Sequence, residues 1–570
     1  MAEQGAGTAG AARSGDHRGL ERIWLDSYAE GVPSDIEPVT GPLTDLLDGA
    51  VTRFPDRTAL EFFGAETTYA QLGDQVSRAA EGLRRLGVGK GDRVALVLPN
   101  CPQHVVAFYA ALRLGAVVVE HNPLYTSSEL ATQFTDHGAE VAIAWDKVAP
   151  TVGRLPGVRH VVAVNLVHAM PVAKRLALTL PVPRVRALRS ALTSPAPGAV
   201  PWGQLLRQGH LDPGHPRPTV DDLAAIQYTS GTTGVPKGAM LTHGNLGANA
   251  AQGRAWVPGM VAGAETIYAI LPMFHAYGLT LCVTFAVSAG ARLVLFPRFD
   301  IDLVLAAARK HPPTFLPAVP PIYAQLAAAA SEQGVDLSAC RWAISGAMTL
   351  PPETLELWES VTGGLLVEGY GLTEASPVAL GNPIGPSRRA GAVGVPFPST
   401  EIRVVDPDQP DVDRPRGELL IRGPQVFTGY WRRPEETAMS LLDGGWLRTG
   451  DIVEVDDDGF VHVVDRIKEI IITGGFNVMP SEVETVLKLY PGITDAAVVG
   501  LPKEDGSEQV VAAVTVADRA AFDADAAREH CREHLAAYKI PRRVEVVEEL
   551  PKTIIGKVLR RHIREELMAR

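Results

Sequence analysis

Three apolar runs set the fold class: RVALVLPN from Arg93, AVVVEH from Ala116 and EVAIAW from Glu140. Between them lie two helical segments. CPQHVVAFYAALRLG ends at Gly115, and LATQFTDHG follows Thr126 and Glu129, which have the spacing of a capping box. Strands that alternate with helices in this way build a mostly parallel sheet with helices on its faces. The chain is therefore predicted to be α/β.

At 570 residues the chain exceeds what one hydrophobic core can organise, so two or more domains are expected. Short strands read at EIRVVD (401–406), GELLIRG (417–423), DIVEV (451–455) and FVHVVD (460–465). The last two flank Asp456-Asp457-Asp458-Gly459, which reads as a hairpin turn and lacks the spacing of a calcium loop. After residue 466 comes a smaller unit: a helix from Ser481, strands DAAVVG and QVVAAVTVA, a charged helix and a basic end. The predicted plan is a disordered or extended tail over 1–38, a large domain over 39–465 and a small domain over 466–570.

The formal net charge of −12 argues against nucleic-acid binding, which needs a basic surface. The four cysteines, Cys101, Cys282, Cys340 and Cys531, form no CxxC pair and read as buried or free thiols. The first residues have no apolar segment that would make a signal peptide, and LTLCVTFAVSAGA (279–291) stops at Arg292, short of a membrane span. A cytoplasmic protein is expected. Within this acidic chain, Thr151 to Leu211 holds eight Lys or Arg and no Asp or Glu. That basic insertion, at about 151–217, is either a solvated surface or a contact with the inner, anionic membrane face.

Residues 228–238 read YTSGTTGVPKG, leaving a predicted strand. Glycines let backbone N–H groups approach an anion, hydroxyls add donors and Lys237 adds charge, so phosphate is the natural guest. The spacing is not that of a Walker loop. This stretch resembles the phosphate loop of the adenylate-forming superfamily of acyl-CoA synthetases, adenylation domains and luciferases. LPMFHAYG (271–278), ISGAMTLP (344–351), EGYGLTEASP (368–377), GELLIRGPQVFTGYW (417–431), the segment 444–484 and LPKTIIGKVLRR (550–561) follow in that family's order. NPLYTSSEL (122–130) and VGVPFPSTEIRVVD (393–406) look most like long-chain fatty acid–CoA ligases.

The resemblance implies packed α/β subdomains plus a small β-barrel-like region, followed by a small mobile C-terminal α+β domain. It also implies a two-step reaction. An acid and ATP give acyl-adenylate, and CoA then takes the acyl group. Thr229, Ser230, Gly231, Thr232, Thr233, Gly234 and Lys237 would hold phosphates. Lys557 would reach the α-phosphate, Thr373 would donate to it and Glu374 would bind Mg2+. Glu368 and Tyr370 would lie at the nucleotide, Asp451 would accept from the ribose hydroxyls and Arg466 would add a contact. Lys468 would be the hinge, with Gly474 and Gly475 lining the CoA entry. His275 would position the acid, beside Ala276, Tyr277, Gly278, Gly346 and Ala347 as walls of the acyl pocket. An aryl-CoA ligase, a carrier-protein adenylation module and a non-catalytic scaffold are the rival readings, and homodimerisation is left open.

Overall fold

The computed structural model describes residues 22–229, 236–473, 476–503, 508–553 and 556–569. The stretch that sets the fold class forms parallel neighbours Val117–Glu120, Arg93–Val97 and Val141–Trp145 in a seven-stranded sheet. Val94 to Val97 are all buried, because helices cover both faces. The capping box is present: Thr126 Oγ1 accepts from Glu129 N at 3.3 Å and Thr126 N donates to Glu129 Oε2 at 2.7 Å. Gly138, at φ +64°, ends that helix. The sheet closes on a hairpin of Leu223–Thr229 and Lys237–Thr242, in which Thr229 pairs with Lys237.

A second sheet has nine strands. Six run parallel: Thr58–Phe62, Arg292–Leu295, Thr266–Ala269, Phe315–Ala318, Trp342–Ser345 and Leu365–Gly371. The β-rich region is a six-stranded antiparallel sheet built on Glu401–Asp406, Arg416–Arg422, Trp446–Val455 and Val461–Arg466. One continuous hydrophobic cluster joins the three sheets, running from Trp24 through Phe108, Phe285 and Leu380 to Phe460. The clusters that begin at Ile471 contain no residue from before it. They pack Ile493–Pro502, Glu508–Val516 and Arg543–Val546 against helices Pro480–Lys488, Ala524–His534 and Arg560–Ala569.

Of the predicted tail, residues 22–38 are packed on the body. Trp24 is fully buried, Ser27 Oγ donates to Asp458 O at 3.1 Å and Tyr28 Oη to Pro396 O at 2.6 Å. Trp24 seats this segment against Gly459 of the 456–459 turn and Tyr28 seats it against Trp256, a signal too short for periodicity to reveal. The acidic turn has a structural partner as well: Arg389 bridges Asp456 and Asp458. All four cysteines are free and buried. Among the described residues no helix is long and apolar enough to cross a membrane.

The basic insertion folds as the strand His160–Val164, which lies between Val141–Trp145 and the edge strand Val200–Pro201, and short helices Val172–Ala177 and Pro183–Leu192. Its return is fixed by Trp145 Nε1 donating to Leu192 O at 2.9 Å and Asn165 Nδ2 to Thr193 Oγ1 at 2.6 Å. Neither helix has a buried residue.

Candidate active site

A cavity of about 720 Å³ opens where parallel strands end, the position that open α/β sheets use for ligands. Thr229 and Lys237 reach it from the first sheet, His275 and Gly346 from the second, Asp451 from the antiparallel sheet and Lys557 from the C-terminal segment. Residues 328 positions apart in sequence thus meet in one space, taking Thr229 to Lys557 as the span (557 minus 229).

Asp451 sits inside the ten-residue strand Trp446–Val455. The pairing register slips between Glu418 and Leu420, opposite Thr449 and Gly450, and Gly450 takes φ +72°. Such a bulge re-aims a side chain. Asp451 Oδ2 accepts from the Tyr370 hydroxyl at 2.5 Å, and Oδ1 forms an ion pair with Arg466, 3.0 Å from its Nε. Thr449 Oγ1 accepts from Asp451 N at 3.1 Å. Burial and the neighbouring Asp451 charge push the Tyr370 phenol well up, so it remains a donor.

Glu374 Oε1 accepts from the Tyr430 hydroxyl at 2.7 Å. Among the described residues its second oxygen has no hydrogen-bond partner, and it lines the cavity near Lys237 and Thr373. One carboxylate with an open oxygen fits a hard divalent cation that takes its other ligands from phosphate and water. Lys237 Nζ lies 5.4 Å from the centre of the Tyr430 ring. Tyr430 and Glu418, which receives Arg448 Nε at 2.9 Å and Gly450 N at 3.1 Å, were missed by sequence reasoning. Both stand inside motifs already quoted, but their partners lie elsewhere in the chain.

Burial and Arg466 push the Lys557 ammonium down to about 8, while Glu469 and Asp451 oppose that shift. It remains roughly nine-tenths protonated at pH 7. Lys468, at the same cavity, is pushed down by the same two causes.

His275 caps the short helix Ala276–Gly278, with Nδ1 accepting from Tyr277 N at 3.3 Å. Burial lowers its pKa to about 4, so the ring is neutral and carries its proton on Nε2. The Tyr277 hydroxyl donates to Ile344 O at 2.7 Å and is withdrawn from chemistry. A Cβ on Gly346 would stand 3.0 Å from the Tyr277 ring, which explains the bare backbone there. Ala347 holds φ +67°, a strained conformation for a residue with a side chain. From Ile344, Gly369 and Val378 a slot of only about 20 Å³ continues inward between Gly253, Trp256 and Phe285.

Two expected residues are not at the cavity. Glu368 turns toward the slot, and its carboxylate accepts from Leu350 N at 3.0 Å, with burial pushing its pKa up. Gly278 is a packing residue, since a Cβ there would lie 2.0 Å from Pro272 O. Ser230, Gly231, Thr232, Thr233 and Gly234 lie outside the described residues, as do Gly474 and Gly475. Thr229 and Lys237, which flank the first of these segments, are both placed at the cavity.

A family model described as AMP-binding enzyme matches residues 47–431, and one described as AMP-binding enzyme C-terminal domain matches residues 482–557. The chain is 37% identical over 562 residues to a long-chain-fatty-acid–CoA ligase of Bacillus subtilis, covering 96% of this chain and 98% of that protein. It is 36% identical over 512 residues to a feruloyl-CoA synthase of Amycolatopsis, covering 90% and 96%. The solved structure of a Mycobacterium tuberculosis fatty acyl CoA synthetase superposes with a TM-score of 0.73 at 29% identity, covering 93% of this chain and 98% of that one.

Proposed function

The chain belongs to the AMP-binding enzyme family, and from that premise we propose that it is an AMP-forming fatty acid–CoA ligase. A fatty carboxylate attacks the α-phosphorus of ATP, giving acyl-adenylate and pyrophosphate. The CoA thiol then displaces AMP. The observation that carries this reading is the meeting of Lys237, Glu374, Asp451 and Lys557 in one cavity that continues into an apolar slot.

The first step brings two anions together. At about 4 Å like charges repel by roughly 4 kcal/mol at an effective dielectric near 20. Fixed positive charge must offset that repulsion without reorganising. In the proposed division of labour, Lys237 faces the outer phosphates and Thr373 donates to the α-phosphate. Lys557 places its ammonium between the α-phosphate and the carboxylate. Asp451, held on both oxygens, offers its remaining lone pairs to the ribose, while the Tyr370 ring forms the wall for adenine. His275, neutral and a donor at Nε2, orients the incoming carboxylate but does not act as a base. Glu374, steadied by Tyr430, would hold Mg2+, which neutralises phosphate charge when bound. Lys468 and the 474–475 glycines keep their proposed places as hinge and CoA entry for the second step.

The slot is narrow as it stands, and a long chain requires Trp256 and Phe285 to part. That narrowness, with the likeness to a feruloyl-CoA synthase, gives an aromatic acid as the second reading. A panel of C8–C18 fatty acids and cinnamic acids, read by CoA-dependent AMP release, decides between them. Turnover of the fatty acids is expected, and release with the aromatic acids alone would overturn the first reading. The working place proposed is the cytoplasm, with the basic insertion resting on the anionic inner membrane face.

A further inference from the structure

Beneath the insertion lies a second chamber, of about 800 Å³, that shares no lining residue with the reacting cavity or its slot. The segment 270–275 forms the partition: Phe274 lines the chamber and His275 the reacting cavity. The roof is the pair of insertion helices, through Leu178, Val185, Leu188 and Leu192. The floor is apolar too, from Ile270, Phe296 and Val319. The volume is within the range of roughly 300–1,000 Å³ typical of small-molecule sites.

The rim is cationic. Lys174 Nζ stands 5.8 Å from the centre of the Phe63 ring, and Arg298 is 76% exposed. Asp300 is the one acidic residue among the lining side chains, and it is engaged by Leu303 N at 3.2 Å and by Arg298 at 3.6 Å. The roof segment itself has no acid between Thr151 and Leu211. Outward from the roof, Leu176 is 64% exposed and Leu188 51%, so apolar surface runs from the exterior to the chamber. Monomeric soluble proteins rarely leave such surface open without a ligand or membrane to cover it.

We infer that this chamber is a second binding site for one long-chain carboxylate, its alkyl chain under the insertion helices and its head group at Lys174 and Arg298. A neutral lipid would leave Lys174, which has no ion pair among the described residues, unanswered, and a short polar anion would leave the apolar walls wet. The choice of a fatty acid as occupant rests on the ligase reading above. The chamber would hold substrate beside the reacting cavity, one partition away.

The test uses the full chain with a palmitoyl sulfamoyl-adenosine, an adenylate mimic, filling the reacting cavity. cis-Parinaric acid, a fluorescent 18-carbon carboxylate, is then titrated in. One saturable equivalent is expected. Lys174→Glu with Arg298→Glu should weaken it about fivefold or more, since two exposed charges are reversed. Leu188→Asp should abolish it, with the melting temperature of both variants unchanged. Absence of saturable binding, binding unaffected by either variant, or displacement by free CoA would overturn the inference. Fatty-acid-dependent pyrophosphate exchange, measured on the same unblocked protein, reads the ligase function separately. Exchange without chamber binding defeats only this inference, and chamber binding without exchange supports it while defeating the function.

Discussion

Lys557 is the residue on which the proposed chemistry turns. It is a half-buried cation with a carboxylate, Asp451, and a guanidinium, Arg466, as neighbours. Lys557→Ala should slow adenylation by roughly 10²–10³-fold, as for loss of one transition-state donor, and largely spare thioester formation from supplied acyl-adenylate. Half-reaction assays check this, and equal damage to both would count against the role. The sign of the pH effect follows from a pKa lowered to about 8. The charged form is present below that value and is lost as pH rises through it. Adenylation kcat/KM should therefore fall between about pH 8 and 9, and Lys557→Arg should remove that limb. Tyr430 acts one step further out. Tyr430→Phe frees Glu374 Oε1 and should raise the Mg2+ requirement about tenfold, read as the metal concentration at half-maximal exchange.

Elements carry the next layer, and here legibility in the sequence divides sharply. The strands at 93–145 could be read because both faces are buried, so apolar runs and caps mark their ends. The catalytic loops could be read because their residue types repeat a known pattern. The placement of Asp451 could not, since the bulge at Thr449 and Gly450, opposite Leu419, is set by the pairing with the partner strand and leaves no periodic mark. Nor could the pairing of Tyr430 with Glu374, 56 positions apart, or the chamber under the insertion. The sequence also left the insertion suspended between solvent and membrane. The structure shows Arg184, Arg186 and Arg189 all exposed on one short helix. Reversing these three charges should weaken binding to anionic vesicles and remove its salt dependence, measured by co-sedimentation at low and physiological salt. Unchanged sedimentation would take the insertion off the membrane. Within the slot, Gly253→Leu places atoms where a Cβ alone already stands 3.2 Å from the Phe285 ring. It should shift turnover toward shorter acids in the same C8–C18 panel.

At the scale of the whole molecule, the C-terminal segment brings Lys557 into a cavity whose other lining residues lie between Thr229 and Lys468. The approach is close. Gly556 holds φ +81°, a conformation strained for any side chain, and an added Cβ would lie 2.7 Å from Met348 Sδ. Gly556→Val should push Lys557 out of the cavity, reducing adenylation while sparing thioester formation from acyl-adenylate. That outcome would match Lys557→Ala without touching the ammonium. The most direct measurement of the central claim is fatty-acid-dependent exchange of labelled pyrophosphate into ATP, with Mg2+ and without CoA, on the wild-type chain and on Lys557→Ala. Rapid exchange with a fatty acid, lost in the variant, is the predicted result. No exchange with any fatty acid, or equal exchange in both proteins, would contradict it.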